Sequence, residues 1–123
     1  MTDQISKDEI YRLGESRRWA DVVIHRGVAR FVEVAENPAL DMTGQVQQVL
    51  SQIDATLTQI GADRTRLLEV LIFVADLSEM PALNAAWDQW VSPGQSPVRA
   101  CVQAGLAAGY RLEAVVTAAT SPS

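Results

Sequence analysis

Cysteine, histidine and lysine each occur once in the 123 residues, as Cys101, His25 and Lys7. A lone cysteine cannot close an intrachain disulfide, so nothing points to an oxidising compartment. His25 and Cys101 together fall short of a four-ligand zinc set, and no metal is expected. Basic residues are also scarce: 10 Lys+Arg stand against 15 Asp+Glu, for a net charge of −5. Recognition of a phosphate backbone relies on clustered basic side chains. The nearest cluster, Arg12, Arg17 and Arg18, has Glu15 in its midst, so nucleic acid is not an expected partner. The longest apolar run is Val70–Ala75, far short of the roughly 20 residues that span a bilayer. The polar N-terminal stretch lacks the apolar core of a signal peptide. A soluble, cytoplasmic protein with no membrane partner is expected.

The chain also lacks internal repeats, low-complexity tracts, a glycine-rich phosphate loop and a G-x-S-x-G elbow. Its length suits one domain, 1–123, with a core that needs neither metal nor disulfide. The first few residues and Thr120–Ser123 are small or polar and are expected to fray. Glu9–Leu13 alternates weakly, as a short edge strand does. Asp21–His25 and Val28–Ala35 are β-branched runs split by Arg26-Gly27, a hairpin signal. Asn37-Pro38 ends the second run, because proline cannot donate to a ladder.

From Thr43 to Ile60 the period changes. Val46, Val49, Leu50, Ile53, Leu57 and Ile60 recur at spacings of 3, 1, 3, 4 and 3, one stripe of a helix. Asp41 or Thr43 can cap it, and Gly61 suits its left-handed C-terminal position. Leu67–Ala75 is apolar on both sides, as a central strand is. Ser78 offers an N-cap for a second helix with Pro81 in its first turn, and Met80, Leu83, Trp87 and Trp90 form its stripe. Trp87 and Trp90 read as core packing. Pro97–Thr117 reads as two strands around a turn at Leu106–Gly109. The order β, β, β, α, β, α, β, β predicts an α+β layer with two helices on one face of one sheet. The uncovered sheet face is then expected to bury itself in a closed homo-oligomer.

The stretch Pro97–Gln103 carries the chemistry. A strand there turns Arg99, Cys101 and Gln103 to one side and Val98, Ala100 and Val102 to the other. Burying a guanidinium is costly unless an anion meets it, and its planar fork matches a carboxylate. Glu113 is a second lone charge in an apolar strand. If a hairpin pairs the two strands symmetrically about Ala107, Arg99 lies diagonal to Glu113 on one face; a one-residue slip puts them on opposite faces. Two readings stand open: an internal Arg99–Glu113 ion pair, or a site in which Arg99 holds a substrate carboxylate and Glu113 handles a proton. His25 reads as an exposed residue beside the hairpin turn.

At these residues the chain resembles the RidA/YjgF family of small enamine/imine deaminases. The resemblance is carried by a Gly after the first long helix, the run 67–90 (LLEVLIFVADLSEMPALNAAWDQW), a Pro-x-Arg-x-x-Val match at Pro97–Val102, and the last-strand Glu113. Arg18-Trp19, Asp21–His25, Glu36-Asn37 and Ala86-Trp87-Asp88 are most similar to the YoaB-like branch. The resemblance implies a chorismate-mutase-like fold with a mixed sheet of about six strands. It implies a homotrimer, its sheets facing a central barrel, with clefts between subunits. It further implies that Arg99 pairs with the substrate carboxylate, that the backbone at Ala100 and Cys101 lines the pocket, and that Glu113 activates water. The implied substrates are 2-aminoacrylate-type enamines and imines, hydrolysed to 2-oxo acids and ammonia without a cofactor. Cys101 reads as a packed small residue, a reactive thiol being the alternative. Asn84 stands one helix face away from the tryptophan stripe, in reach of a subunit boundary.

Two positions depart from the family pattern. Val32-Glu33 stands where many members have Ser-Gly near the pocket. A carboxylate there repels an anionic substrate unless protonated or turned away, or it selects a cationic group. Trp19 is the nearest counterpart of the family's N-terminal Tyr, and its larger ring reshapes the pocket. These departures keep alive a non-catalytic reading, a small-carboxylate (2-oxo acid) binding or regulatory module using the same cleft.

Overall fold

The computed structural model describes residues 8–14 and 16–120. The fraying expected of the first few residues and of 121–123 therefore falls outside the described residues, as does Glu15. Thr120, expected to fray with the tail, is anchored instead: its amide and its hydroxyl both donate to the Gly27 carbonyl, at 2.8 and 3.1 Å.

Six strands form one mixed sheet in the order β1-β2-β3-β6-β4-β5. They are β1 Ile10–Leu13, β2 Val22–His25, β3 Val28–Val34, β4 Leu67–Val74, β5 Val98–Gln103 and β6 Leu112–Ala119. The helices are α1 Met42–Gln59 and α2 Met80–Trp90. The α+β class, the mixed sheet and the two helices on one face agree with the reading of the sequence.

Local chemistry explains most boundaries. Arg26 and Gly27 both take positive φ, 53° and 77°, the geometry a two-residue hairpin needs to match the twist of β2 and β3. Asp41 caps α1 by accepting from the Gly44 amide at 2.9 Å. At the other end Gly61 has φ 74°, the Ala62 amide donates to the Leu57 carbonyl, and the Gly61 amide donates to that of Thr58. This is a Schellman closure, which satisfies carbonyls that the helix end would otherwise strand. The start of α2 differs from expectation. Ser78 does not cap it; Asp76 accepts from the Ser78 amide and caps a short 3-10 turn, Leu77–Glu79, that leads into Met80.

The C-terminal third corrects the expected hairpin. The turn is present, with the Tyr110 amide donating to the Ala107 carbonyl and Gly109 at φ 89°, but the strands it joins do not pair. β6 enters between β3 and β4, antiparallel to both, whereas β5 runs parallel to β4 at the sheet edge. A parallel neighbour requires a crossover, and α2 supplies it. β6 gains two ladders and a helix-facing row of Leu112, Ala114, Val116 and Ala118, all buried.

That row joins Ala29, Phe31, Val70, Ile72 and Val74 beneath the stripe of α1 (Val46, Val49, Leu50, Ile53, Leu57) and Leu83, Trp87 and Trp90 of α2. Each large side chain so removed from water stabilises the fold by about 1.5–3 kcal/mol. The opposite face of the sheet carries no helix among the described residues. Leu71 and Phe73 are half-buried there, shielded only by neighbours on the sheet, while Val98, Val32 and Val102 stay 68%, 52% and 46% exposed. No helix among the described residues is long and apolar enough to cross a membrane.

Candidate anion-binding site

Arg99 lies opposite Val70 in the parallel ladder, so its side chain rises on the helix side and crosses α2. There its Nη2 donates to Asn84 Oδ1 at 2.9 Å. Its guanidinium carbon sits 5.1 Å from the centroid of the Trp87 ring. Both partners are neutral, and no carboxylate pairs with Arg99 among the described residues. Nη1 is buried and has no hydrogen-bond partner among the described residues. An unsatisfied buried donor costs about 1–3 kcal/mol, more when it is charged. The arrangement is therefore an incomplete shell around a cation: of its five N–H donors, only one on Nη2 is engaged among the described residues.

A second arginine in the same fold shows what completion looks like. Arg64 meets the Asp54 carboxylate with two bonds of 2.8 Å, donates to the Trp90 carbonyl at 2.8 Å, and lies 5.1 Å over the Trp90 ring. The hydrogen bonds it donates to Asp54, opposed by desolvation, raise the Arg64 pKa above the ordinary value. Trp90 Nε1 also donates to Asp54, which ties α2 to α1. Trp87 packs on Trp90 with ring centroids 5.4 Å apart. The platform under Arg99 is thus braced by the neutralised Arg64.

Glu113 is elsewhere. It lies opposite Phe73 and Val34, on the helix-free face, and its carboxylate has no hydrogen bond or ion pair among the described residues. β4 separates its strand from that of Arg99. The two groups are two strand spacings apart, about 10 Å, and point to opposite sides of the sheet. The internal ion pair left open by the sequence does not exist, and the face-sharing geometry required a hairpin that does not form.

Glu113 lines a cleft of about 650 Å³ with Trp19, Asp21, Val32, Glu33 and Thr56. The cleft opens where β2 stops: Val22 pairs with Phe31, so β3 beyond Phe31 has a free edge. Val32 faces the helix-free side. Glu33 points the other way, opposite Ala114, and its carboxylate accepts from Gln52 Nε2 at 3.1 Å and Thr56 Oγ1 at 2.8 Å. Of the alternatives for Glu33, the side chain is turned onto α1. Trp19 is 66% exposed, on a loop tightened by Ser16, whose hydroxyl accepts the amides of Arg18 and Trp19.

Ala100 is exposed on the helix-free face, and Cys101 is half-buried beside Ile72 on the helix side. The backbone of both runs along the outermost strand, with no strand beyond it. Within one chain the expected residues therefore form two groups. Arg99, Asn84, Ala100 and Cys101 gather at the β5 edge, and Trp19, Val32, Glu33 and Glu113 gather around the free edge of β3. The sequence reading missed Trp87, assigned to the core alone; it is buried, yet one ring face carries Arg99. His25, expected to be exposed, is half-buried, with Nδ1 3.4 Å from the Glu9 carbonyl.

The chain is similar to known proteins. Residues 21–120 match a family described as endoribonuclease L-PSP. The RutC family protein YoaB of Escherichia coli K12 is 41% identical over 111 residues, which cover 89% of this chain and 97% of the relative. A RutC family protein of Haemophilus ducreyi is 37% identical over 89% of this chain and 96% of its own length. The crystal structure of a YjgF family member from Neisseria meningitidis superposes with a TM-score of 0.89 at 31% identity, covering 96% of this chain and all of that one, 100%. On this fold and these matches, the chain belongs to the RidA/YjgF/L-PSP family, in the company of the YoaB-like proteins.

Proposed function

We propose that the protein is a homotrimeric hydrolase that deaminates reactive 2-enamino and 2-imino acids of the 2-aminoacrylate type to 2-oxo acids and ammonia. The observation that carries this reading is the Arg99 guanidinium, held by neutral partners with a buried Nη1 that nothing among the described residues satisfies. A small carboxylate completes that shell with charge-assisted bonds. An enamine takes a proton at carbon to become the imine, whose carbon is already electrophilic. Water adds there, the nitrogen is protonated, and ammonia leaves as the carbonyl forms. Glu113 acts as the general base on that water, a role worth about a hundredfold or more, while the Arg99 contact supplies orientation. No metal, covalent nucleophile or cofactor is needed.

The separation of Arg99 from Glu113 bears on the assembly. One small substrate touches both only where the β5 edge of one copy meets the cleft at β3 of another. Backbone groups at Ala100 and Cys101 then line one wall, and Val32 and Trp19 line the other. The exposed valines of the helix-free face favour such an assembly, because burying them recovers hydrophobic free energy. The test couples the protein to an imine-generating amino-acid oxidase and traps residual imine with semicarbazide. Oxo-acid release is expected to rise with the protein, and to fall about a hundredfold or more in Arg99→Ala and Glu113→Gln. An unchanged rate in either variant refutes the assignment.

One observation favours a second reading, a non-catalytic module that binds 2-oxo acids. The Arg99 receptor is assembled within a single chain, whereas the acid–base group is not. That reading predicts saturable binding of a 2-oxo acid, lost in Arg99→Ala, with no turnover. The ribonuclease activity in the family's description is not carried over: the net charge is −5, and phosphate backbones are bound by clustered basic residues. RNA cleavage lost in a site variant would overturn that judgement.

A further inference from the structure

We propose that Asn84 and Trp87 are positioning residues for Arg99, chosen as neutral partners so that its charge stays available to a carboxylate ligand. The inference rests on Arg99 being the anion anchor and adds how the anchor is held and kept unquenched. Asn84 and Trp87 stand three residues apart on α2, which places them on one helix face, a turn apart. The guanidinium carbon lies over the Trp87 ring, 5.1 Å from its centroid, and Asn84 Oδ1 accepts from Nη2 at 2.9 Å. Together they restrict a long, flexible side chain to one orientation, with Nη1 as the remaining buried donor.

The identity of the acceptor matters more than its presence. An amide oxygen orients the guanidinium without cancelling its charge. A carboxylate at the same position makes a stronger, charge-assisted pair and so competes with the ligand. The fold contains that opposite design in Arg64, neutralised by Asp54 and stacked on Trp90. The two arginine–tryptophan stacks share the 5.1 Å spacing and differ in whether an acid is present. One is a brace, and the other is a receptor.

The test is calorimetric titration of the full chain with 2-oxobutanoate, a stable oxo acid. Asn84→Asp is nearly isosteric, so a merely structural role for Asn84 predicts a milder effect than Asn84→Ala. The receptor role predicts the reverse: about tenfold weaker binding in Asn84→Asp than in Asn84→Ala, with both variants melting near wild type. Trp87→Phe keeps a ring and is expected to bind within about threefold of wild type, whereas Trp87→Leu loses about tenfold. In an Arg99→Lys background, where the fork is gone, the Asn84→Ala effect should shrink below about twofold. Asn84→Asp binding as tightly as Asn84→Ala or better, or an Asn84→Ala effect unchanged by Arg99→Lys, overturns the proposal while leaving the anchor intact. Binding undiminished in Arg99→Ala instead removes the anchor, and both readings fall together.

Discussion

Replacing Gln45 should cost more stability than any other single polar substitution in the fold. Its side chain is wholly buried, at 0% exposure, and serves four backbone groups. Nε2 lies 3.1, 2.9 and 2.9 Å from the carbonyls of Pro38, Leu40 and Gly109, so its two hydrogens are shared among three acceptors. Oε1 accepts the Arg111 amide at 2.9 Å. One amide thus joins the entry to α1 with the loop that delivers β6 into the middle of the sheet. Gln45→Met keeps the volume and removes every polar contact. Each stranded group costs about 1–3 kcal/mol, and water can recover part of that near Gly109, an exposed residue. The expected loss is about 3–5 kcal/mol, a large share of the roughly 5–15 kcal/mol that holds a domain folded. Denaturant unfolding at one fixed protein concentration, needed because assembly shifts apparent stability, reads this as a lower midpoint with an unchanged slope. Gln45→Glu sharpens the test. Its new carboxyl faces carbonyl oxygens in a buried site, so its folded pKa must exceed the ordinary value of about 4.3. A raised folded pKa stabilises most below the unfolded value, and that contribution is lost as pH rises through the folded one. Gln45→Glu should therefore gain on wild type as pH falls from about 7 to about 4. A Gln45→Met midpoint within about 1 kcal/mol of wild type, or no pH trend in Gln45→Glu, refutes the reasoning.

Two further outcomes follow from the same structure. Asp76 has its pKa held below 3.8, first by the Ser78 amide and then by the Ser78 hydroxyl; a lowered folded pKa stabilises above the unfolded value and fails as pH falls through the folded one. Melting curves between about pH 2 and 6 should show a shallower acid decline in Asp76→Asn than in wild type, and parallel curves would discard the capping role. On the helix-free face, Val102→Asp places a carboxylate where the proposed trimer packs apolar side chains; sedimentation should show a smaller species with an unchanged far-ultraviolet spectrum, and an unaltered oligomer would remove that face from the interface.

Helix α1 was legible because its information is local. The stripe from Val46 to Leu57, the cap at Asp41 and the closure at Gly61 all operate within one or two turns of chain. The Arg26-Gly27 hairpin is local in the same way, since two positive φ angles decide it. The cap of α2 was misread because Asp76 and Ser78 are both good capping types, and only the intervening 3-10 turn distinguishes their roles.

Composition and periodicity by themselves determined the class of fold, the two helices and the six strands, because apolar spacing dictates which face of each element is buried. What they could not decide was where the last two strands lie. Alternation places Arg99 and Glu113 each on one side of its own strand, but says nothing of which strands are neighbours. The tertiary structure made that choice by inserting β6 between β3 and β4, where two ladders and a helix-covered face reward it, and by leaving β5 at the rim beside α2. That placement set Arg99 over Trp87 with a free donor and put Glu113 on the other side of the sheet, since pairing between distant segments is settled by packing the whole core at once.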